Sequence, residues 1–153
     1  MFDTHVDALY VWAAVFAVSV AVLAVVTQLP TAVPPDGGGT AETIDEVATG
    51  PPGSVATREL DAAEWRLAGR RLGLRSEAGT VHETLLRPAV PAVNESLAAV
   101  LDGEPPSAAF DSPSTFENVT ERAAANTTRW RPAPDRLTVR RVAWGGVDVT
   151  LVG

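Results

Sequence analysis

An α+β domain carried behind a single transmembrane helix is the fold class this sequence predicts, and three observations predict it. An uncharged, almost wholly apolar run occupies residues 8–29. Two stretches, 65–85 and 137–151, alternate apolar with polar residues as half-buried strands do, and two stretches between them place apolar residues at helical spacing. A chain of 153 residues has room for one such domain and an appendage.

The apolar run comes first. Between Ala8 and Leu29 the polar exceptions are Ser19, Thr27 and Gln28. As a helix these residues extend about 33 Å, against a hydrocarbon core of about 30 Å. A helix that is apolar all round needs lipid or a large protein to cover it, and the remaining chain is too short to supply the latter. The tail of residues 1–7, MFDTHVD, is acidic, the run is longer than a signal-peptide core, and its exit TQLPTAVPP offers no small-x-small site. The span therefore reads as a retained anchor. Ala13, Ala17, Ala21 and Ala24 recur at three- and four-residue intervals, a spacing that would allow self-association of the helix in the bilayer.

Orientation has to come from elsewhere, because no Lys or Arg lies within 20 residues of either end of the span. All three asparagines begin N-x-[ST] sequons: Asn94-Glu95-Ser96, Asn118-Val119-Thr120 and Asn126-Thr127-Thr128. Ser and Thr together make up 22 of 153 residues, so three independent hits have a chance of roughly 0.003. Asn94, Asn118 and Asn126 are thus glycosylation candidates, and they predict an exoplasmic C-terminal domain with the short tail inside. Asn94 also reads as a helix N-cap, and Asn126 as a helix end.

Residues 30–57 hold ten Pro and Gly among 28 positions, a composition that predicts a flexible linker. Within it, TAETIDEVA spaces Ile44 and Val47 for a turn or two of helix. From 58 to 153 the periodicity is that of a domain. Trp65, Leu67, Leu72 and Leu74 alternate with Arg, Glu77-Ala78-Gly79 makes a connection, and TVHETL follows as the partner strand of a first hairpin. Asn94 precedes Leu97, Val100 and Leu101, with Gly103 closing a short helix. In DSPSTFENVTERAAAN, Ser112 as N-cap and Pro113 in the first turn start a longer helix with Phe116, Val119 and Ala123 inward and Asn118 outward. The last hairpin, in DRLTVRRVAWGGVDVTLVG, turns at Gly145-Gly146, and a phase slip between Val139 and Val142 predicts a bulge near Arg140-Arg141. The order strand-strand-helix-helix-strand-strand implies two antiparallel hairpins in one four-stranded sheet under the longer helix.

Charge and composition narrow the chemistry. The net charge of −7 divides as −6 over residues 1–57 and −1 over 58–153, so the domain lacks the basic field of a nucleic-acid binder. There is no Cys and no Lys. His5 and His82, the two histidines, fall in the tail and in a strand, no G-x-S-x-G occurs, and the glycines at 37–39 have no phosphate-loop context. No catalytic, cofactor or metal site is expected. Arginine is the concentrated group: Arg71 and Arg75 on the first hairpin, with Arg140 and Arg141 on the last, would share a sheet face if the hairpins were neighbours and contact a partner protein or an acidic glycan. A solvated face paired with Glu59, Asp61, Glu64 and Glu83 is the other reading of the same pattern.

MFDTHVDALYVWAAV, FDSPSTF and VRRVAWGGVDVTLV together resemble a haloarchaeal family of small single-span membrane proteins of unknown function, found in type IV pilus-like gene neighbourhoods. The resemblance covers nearly the whole chain and brings no catalytic residue with it. It implies a non-catalytic role at the cell membrane, with envelope or pilus-like proteins as partners. The absence of a basic and small residue just before Ala8 departs from a processed pilin subunit. An anchored receptor that binds acidic glycan or another ligand through an Arg-rich sheet face is the alternative.

Overall fold

The computed structural model of the protein describes residues 10–20, 32–125 and 129–153, in two units, Met1–Ala32 and Val33–Gly153. In the first unit residues 10–20 are α-helical, and none of their side chains is buried. Tyr10, Trp12 and Phe16 stand about 70% exposed. Ser19 Oγ donates to the Val15 carbonyl at 2.8 Å, so the serine hydroxyl is satisfied within the helix itself. Among the described residues no helix is long and apolar enough to cross a membrane. The expected span of 8–29 extends past the described helix at both ends, since 8–9 and 21–29 lie outside the described residues.

The second unit is an α+β domain. In chain order it contains α1 (Gly37–Thr49), β1 (Val55–Glu59), β2 (Glu64–Ala68), β3 (Arg71–Ser76), β4 (Gly79–Thr84) and β5 (Val90–Pro91). Then follow α2 (Glu95–Asp102), α3 (Pro106–Ala109), α4 (Pro113–Ala125), β6 (Arg131–Pro132), β7 (Arg136–Trp144) and β8 (Val147–Val152). The strands make two four-stranded sheets, ordered β1-β7-β8-β5 and β4-β3-β2-β6. All pairs are antiparallel except β5 with β8. The expected single sheet is therefore two: the first hairpin is a meander of β2, β3 and β4, and the last hairpin belongs to the other sheet.

The expected flexible linker of 30–57 is corrected most. Its residues 37–49 form α1, and its end supplies most of β1, which pairs with β7 from Val55↔Arg140 to Glu59↔Arg136. Asp36 caps α1 by accepting from Gly39 N at 2.9 Å. Ala41, Ile44, Val47 and Ala48 are buried on one helical stripe, which supplies the helix with tertiary packing despite its three leading glycines. Gly37 is there for closeness: a Cβ on it would sit 2.9 Å from Val81 Cγ2 of β4.

Two cores lie on the two faces of the β1-β7-β8-β5 sheet. The first joins Ile44 and Val47 of α1, Trp65, Leu67, Leu72 and Leu74 from the inner face of the other sheet, and Leu137, Val139 and Val152. The second joins Leu97, Val100 and Leu101 of α2, Phe110 at the end of α3, Phe116 and Ala123 of α4, and Val142 and Leu151. This explains the phase slip on β7. Its pairing with β8 runs without interruption from Val139↔Val152 to Trp144↔Val147, so there is no bulge at Arg140-Arg141. Leu137 and Val139 face one core and Val142 faces the other, as alternation requires. A sheet covered on both faces loses the simple inside–outside code.

The helix ends match expectation. Asn94 accepts from Leu97 N at 2.8 Å at the start of α2, and Ser112 accepts from Thr115 N at 3.2 Å at the start of α4. Gly145 and Gly146, at φ of 57° and 89°, make the primed turn that joins β7 to β8.

Candidate functional site

The sheet β4-β3-β2-β6 turns Trp65, Leu67, Leu72 and Leu74 into the first core, so the alternate residues Glu64, Arg66, Arg71, Gly73, Arg75 and His82 stand on its outer face. Across the strands Arg66 opposes Gly73, which opposes His82, while Glu64 opposes Arg75. Trp130, just before β6, lies over Gly73, where a Cβ would come within 2.9 Å of the indole Cη2 and 3.2 Å of His82 Nδ1. An isolated glycine inside a strand marks such a close approach.

Two guanidinium groups converge on this indole. The Arg75 and Arg66 guanidinium carbons lie 4.1 Å and 5.0 Å from the Trp130 ring centroid, and the His82 ring is 6.1 Å away at a tilt of 31°. Arg75 Nη1 also donates to Glu64 Oε2 at 2.9 Å, whereas Arg66 makes no ion pair among the described residues. Each cation–π contact at such exposure contributes about 0.5–1 kcal/mol, and the surface ion pair about 0–1 kcal/mol. These energies are small beside the two cores. What the contacts do is orient the side chains, presenting two planar forks and an indole on one open face.

Arg71 and Arg75 thus share a face, but Arg140 and Arg141 do not join them, because they belong to the other sheet. The expected four-arginine surface is corrected to two separate uses. Consecutive strand residues point to opposite faces, and each guanidinium reaches the C-terminal end of the helix packed there. Arg140 Nε donates to the Leu101 carbonyl in the last turn of α2 at 2.8 Å. Arg141 donates to the carbonyl of Gly50, which caps the C-terminal end of α1. A cation at a helix C-terminus also complements the dipole. α1 is tied at its start as well, where Arg58 pairs with its N-cap Asp36.

Arg141 forms a two-pronged pair with Asp148, Nε to Oδ1 at 3.0 Å and Nη2 to Oδ2. The hydrogen bond and the nearby charge of Arg141, aided by Arg87, hold the Asp148 carboxyl below the usual aspartate range, and the hydrogen bond and charge of Asp148 raise Arg141 above its ordinary value. The depressed folded value means that the pair's stabilisation is complete above the unfolded aspartate pKa of about 3.9 and is lost as pH falls through the lower folded value. Asp148→Asn should therefore melt below wild type at neutral pH, with the gap closing as pH falls below about 4; thermal melts across pH 2–7 measure it. A gap that stays constant down to pH 2 would contradict this role.

The sequons differ in presentation. Asn94 is exposed in extended backbone at φ −128° and ψ 164°, with its Oδ1 occupied by the cap. Asn118 is exposed on α4 and donates to the Ser114 carbonyl at 2.8 Å. Its partner Thr120 is only 3% exposed and donates to the Glu117 carbonyl, so the folded helix withholds the threonine of this sequon. Asn126 lies outside the described residues. No group of three or more His, Cys, Asp or Glu that would hold a metal ion occurs among the described residues. The clefts of the domain are open ones: about 290 Å³ beside Arg140, Gly103 and Pro105, and about 460 Å³ beside Asp36, Thr40 and Arg58.

The residues of this face that the sequence pattern did not join to Arg75 are Arg66 and Trp130. The signal that would have found them is Gly73. Comparison with known proteins adds an affiliation but no activity. No curated protein and no solved structure matches the chain. Residues 3–142 match DUF7283, described as a family of unknown function, and at that coverage the chain belongs to this family.

Proposed function

We propose that the protein is a non-catalytic, single-pass membrane-anchored surface protein of a haloarchaeon, with the N-terminal tail inside and the α+β domain outside. In this role it serves as an accessory or structural component of an envelope or type IV pilus-like assembly. The observation that carries the reading is the helix at 10–20, apolar on every side with no side chain buried, inside a sequence run uncharged from Ala8 to Pro35. Such a surface is costly in water and favourable in lipid, and the self-satisfied Ser19 hydroxyl removes its main polar penalty. The exposed sequon at Asn94 supports an exoplasmic domain.

Partners are testable directly. The full chain, tagged and solubilised from cross-linked native membranes in mild detergent, should co-purify with pilus-like or envelope proteins identified by mass spectrometry. Recovery with a glycan and no protein partner would favour the receptor role instead. Recovery from the soluble fraction would overturn the anchored reading altogether.

A further inference from the structure

We propose that the outer face of β4-β3-β2-β6 is a binding site for carboxylate-bearing polysaccharide, with Arg66 and Arg75 as the carboxylate forks and Trp130 as the sugar platform. This deepens the anchored reading by naming a ligand class, and rests on it only for the site's location outside the membrane.

Charge is the first reason. The chain as a whole carries −7, yet this face sets Arg66, Arg71 and Arg75 against one carboxylate, Glu64. The inward phase of Glu83, opposite buried Leu72, removes the other acid of these strands from it. Shape is the second. The face is an open sheet, which accommodates an extended chain lying across it better than a small molecule that needs enclosure. Chemistry is the third. A uronic-acid residue has an apolar ring face that suits an indole, and a planar carboxylate that suits a guanidinium in bidentate pairing. Both guanidinium groups already lie within 5.0 Å of that indole, so a sugar on or beside Trp130 brings its carboxylate within reach of a fork with little reorganisation. Gly73 makes the arrangement possible by leaving space for the ring.

An acidic peptide is the competing occupant. It would satisfy the charges and gain nothing specific from the indole, and a peptide strand is better served by an unpaired sheet edge than by a face.

The test is a calorimetric titration of the full chain in neutral phosphatidylcholine nanodiscs with oligomeric alginate, poly-glutamate and neutral dextran. Alginate should bind at least tenfold more tightly than either of the others. Arg66→Gln with Arg75→Gln should weaken it at least tenfold, and Trp130→Ala should weaken it by a comparable factor. Arg66→Lys with Arg75→Lys keeps both charges and loses the forks, and should still cost several-fold; it serves as the second variant if the glutamine pair unfolds, as judged by circular dichroism. Arg136→Ala, on the other sheet, should leave alginate binding unchanged. Equal binding of poly-glutamate would reduce the face to a general charge effect and overturn the proposal. So would undiminished alginate binding in any of the Arg66, Arg75 or Trp130 variants. Failure here leaves the anchored role untouched, because anchoring is read from fractionation and not from ligand.

Discussion

Replacing Ile44 with alanine should lower the stability of the domain by about 2–5 kcal/mol, a large part of the 5–15 kcal/mol typical of a native protein. Ile44 is fully buried among Val47, Trp65, Leu72 and Val139, so its truncation leaves a cavity between α1 and both sheets. The same change in a flexible tether would cost nothing. Urea denaturation of the full chain in detergent micelles, followed by tryptophan fluorescence, distinguishes the two, since Trp65 is 6% exposed in that core. An unchanged midpoint would return residues 37–49 to the role of a linker.

The second large effect concerns the proposed anchor. Arginine at the centre of a transmembrane helix costs about 2.5–3.5 kcal/mol per residue on the insertion scale, so Val15→Arg with Val18→Arg should cost about 5–7 kcal/mol together. Both side chains are more than half exposed on the helix, so the substitutions disturb no packing within it. Membrane fractions washed at alkaline pH should retain the wild-type chain and lose most of the double variant. Retention of both would mean that the apolar run is not what holds the protein at the membrane.

Much of the domain was legible in its sequence, and the misreadings have physical causes. The last hairpin, its Gly145-Gly146 turn and the caps at Asn94 and Ser112 are local devices, each fixed by residues within a few positions, and local devices are what a sequence displays. α1 is legible only as a turn or two of helix, because glycine and proline read as flexibility. Gly37 instead allows close packing on Val81, and the prolines at 34, 35, 51 and 52 flank the helix without entering it. The bulge was a misreading of β7, whose two faces meet two cores, so that Val139 and Val142 are both buried. The pairing of sheets was beyond reach because β1 with β7 and β2 with β6 join segments 66 to 85 residues apart, as Val55↔Arg140 and Trp65↔Arg131 show.

The candidate site divides in the same way. Period-2 alternation correctly put Arg71 and Arg75 on one face, but nothing local shows that Trp130 folds back over Gly73 from so far along the chain. Arg140 and Arg141 looked like a surface pair, although adjacent strand residues diverge, and each is committed to a helix end. The arginines that hold the helices and the arginines that face solvent are therefore different sets, and substitutions in them should separate stability from binding.

The proposed role requires a retained anchor that places the domain outside. Its most direct test is a tag appended after Gly153, probed by adding protease to intact cells and to cells made permeable. In the proposed orientation the tag is removed from intact cells while the chain stays in the membrane. A tag protected in intact cells and lost only after permeabilisation would place the domain on the cytoplasmic side and contradict it.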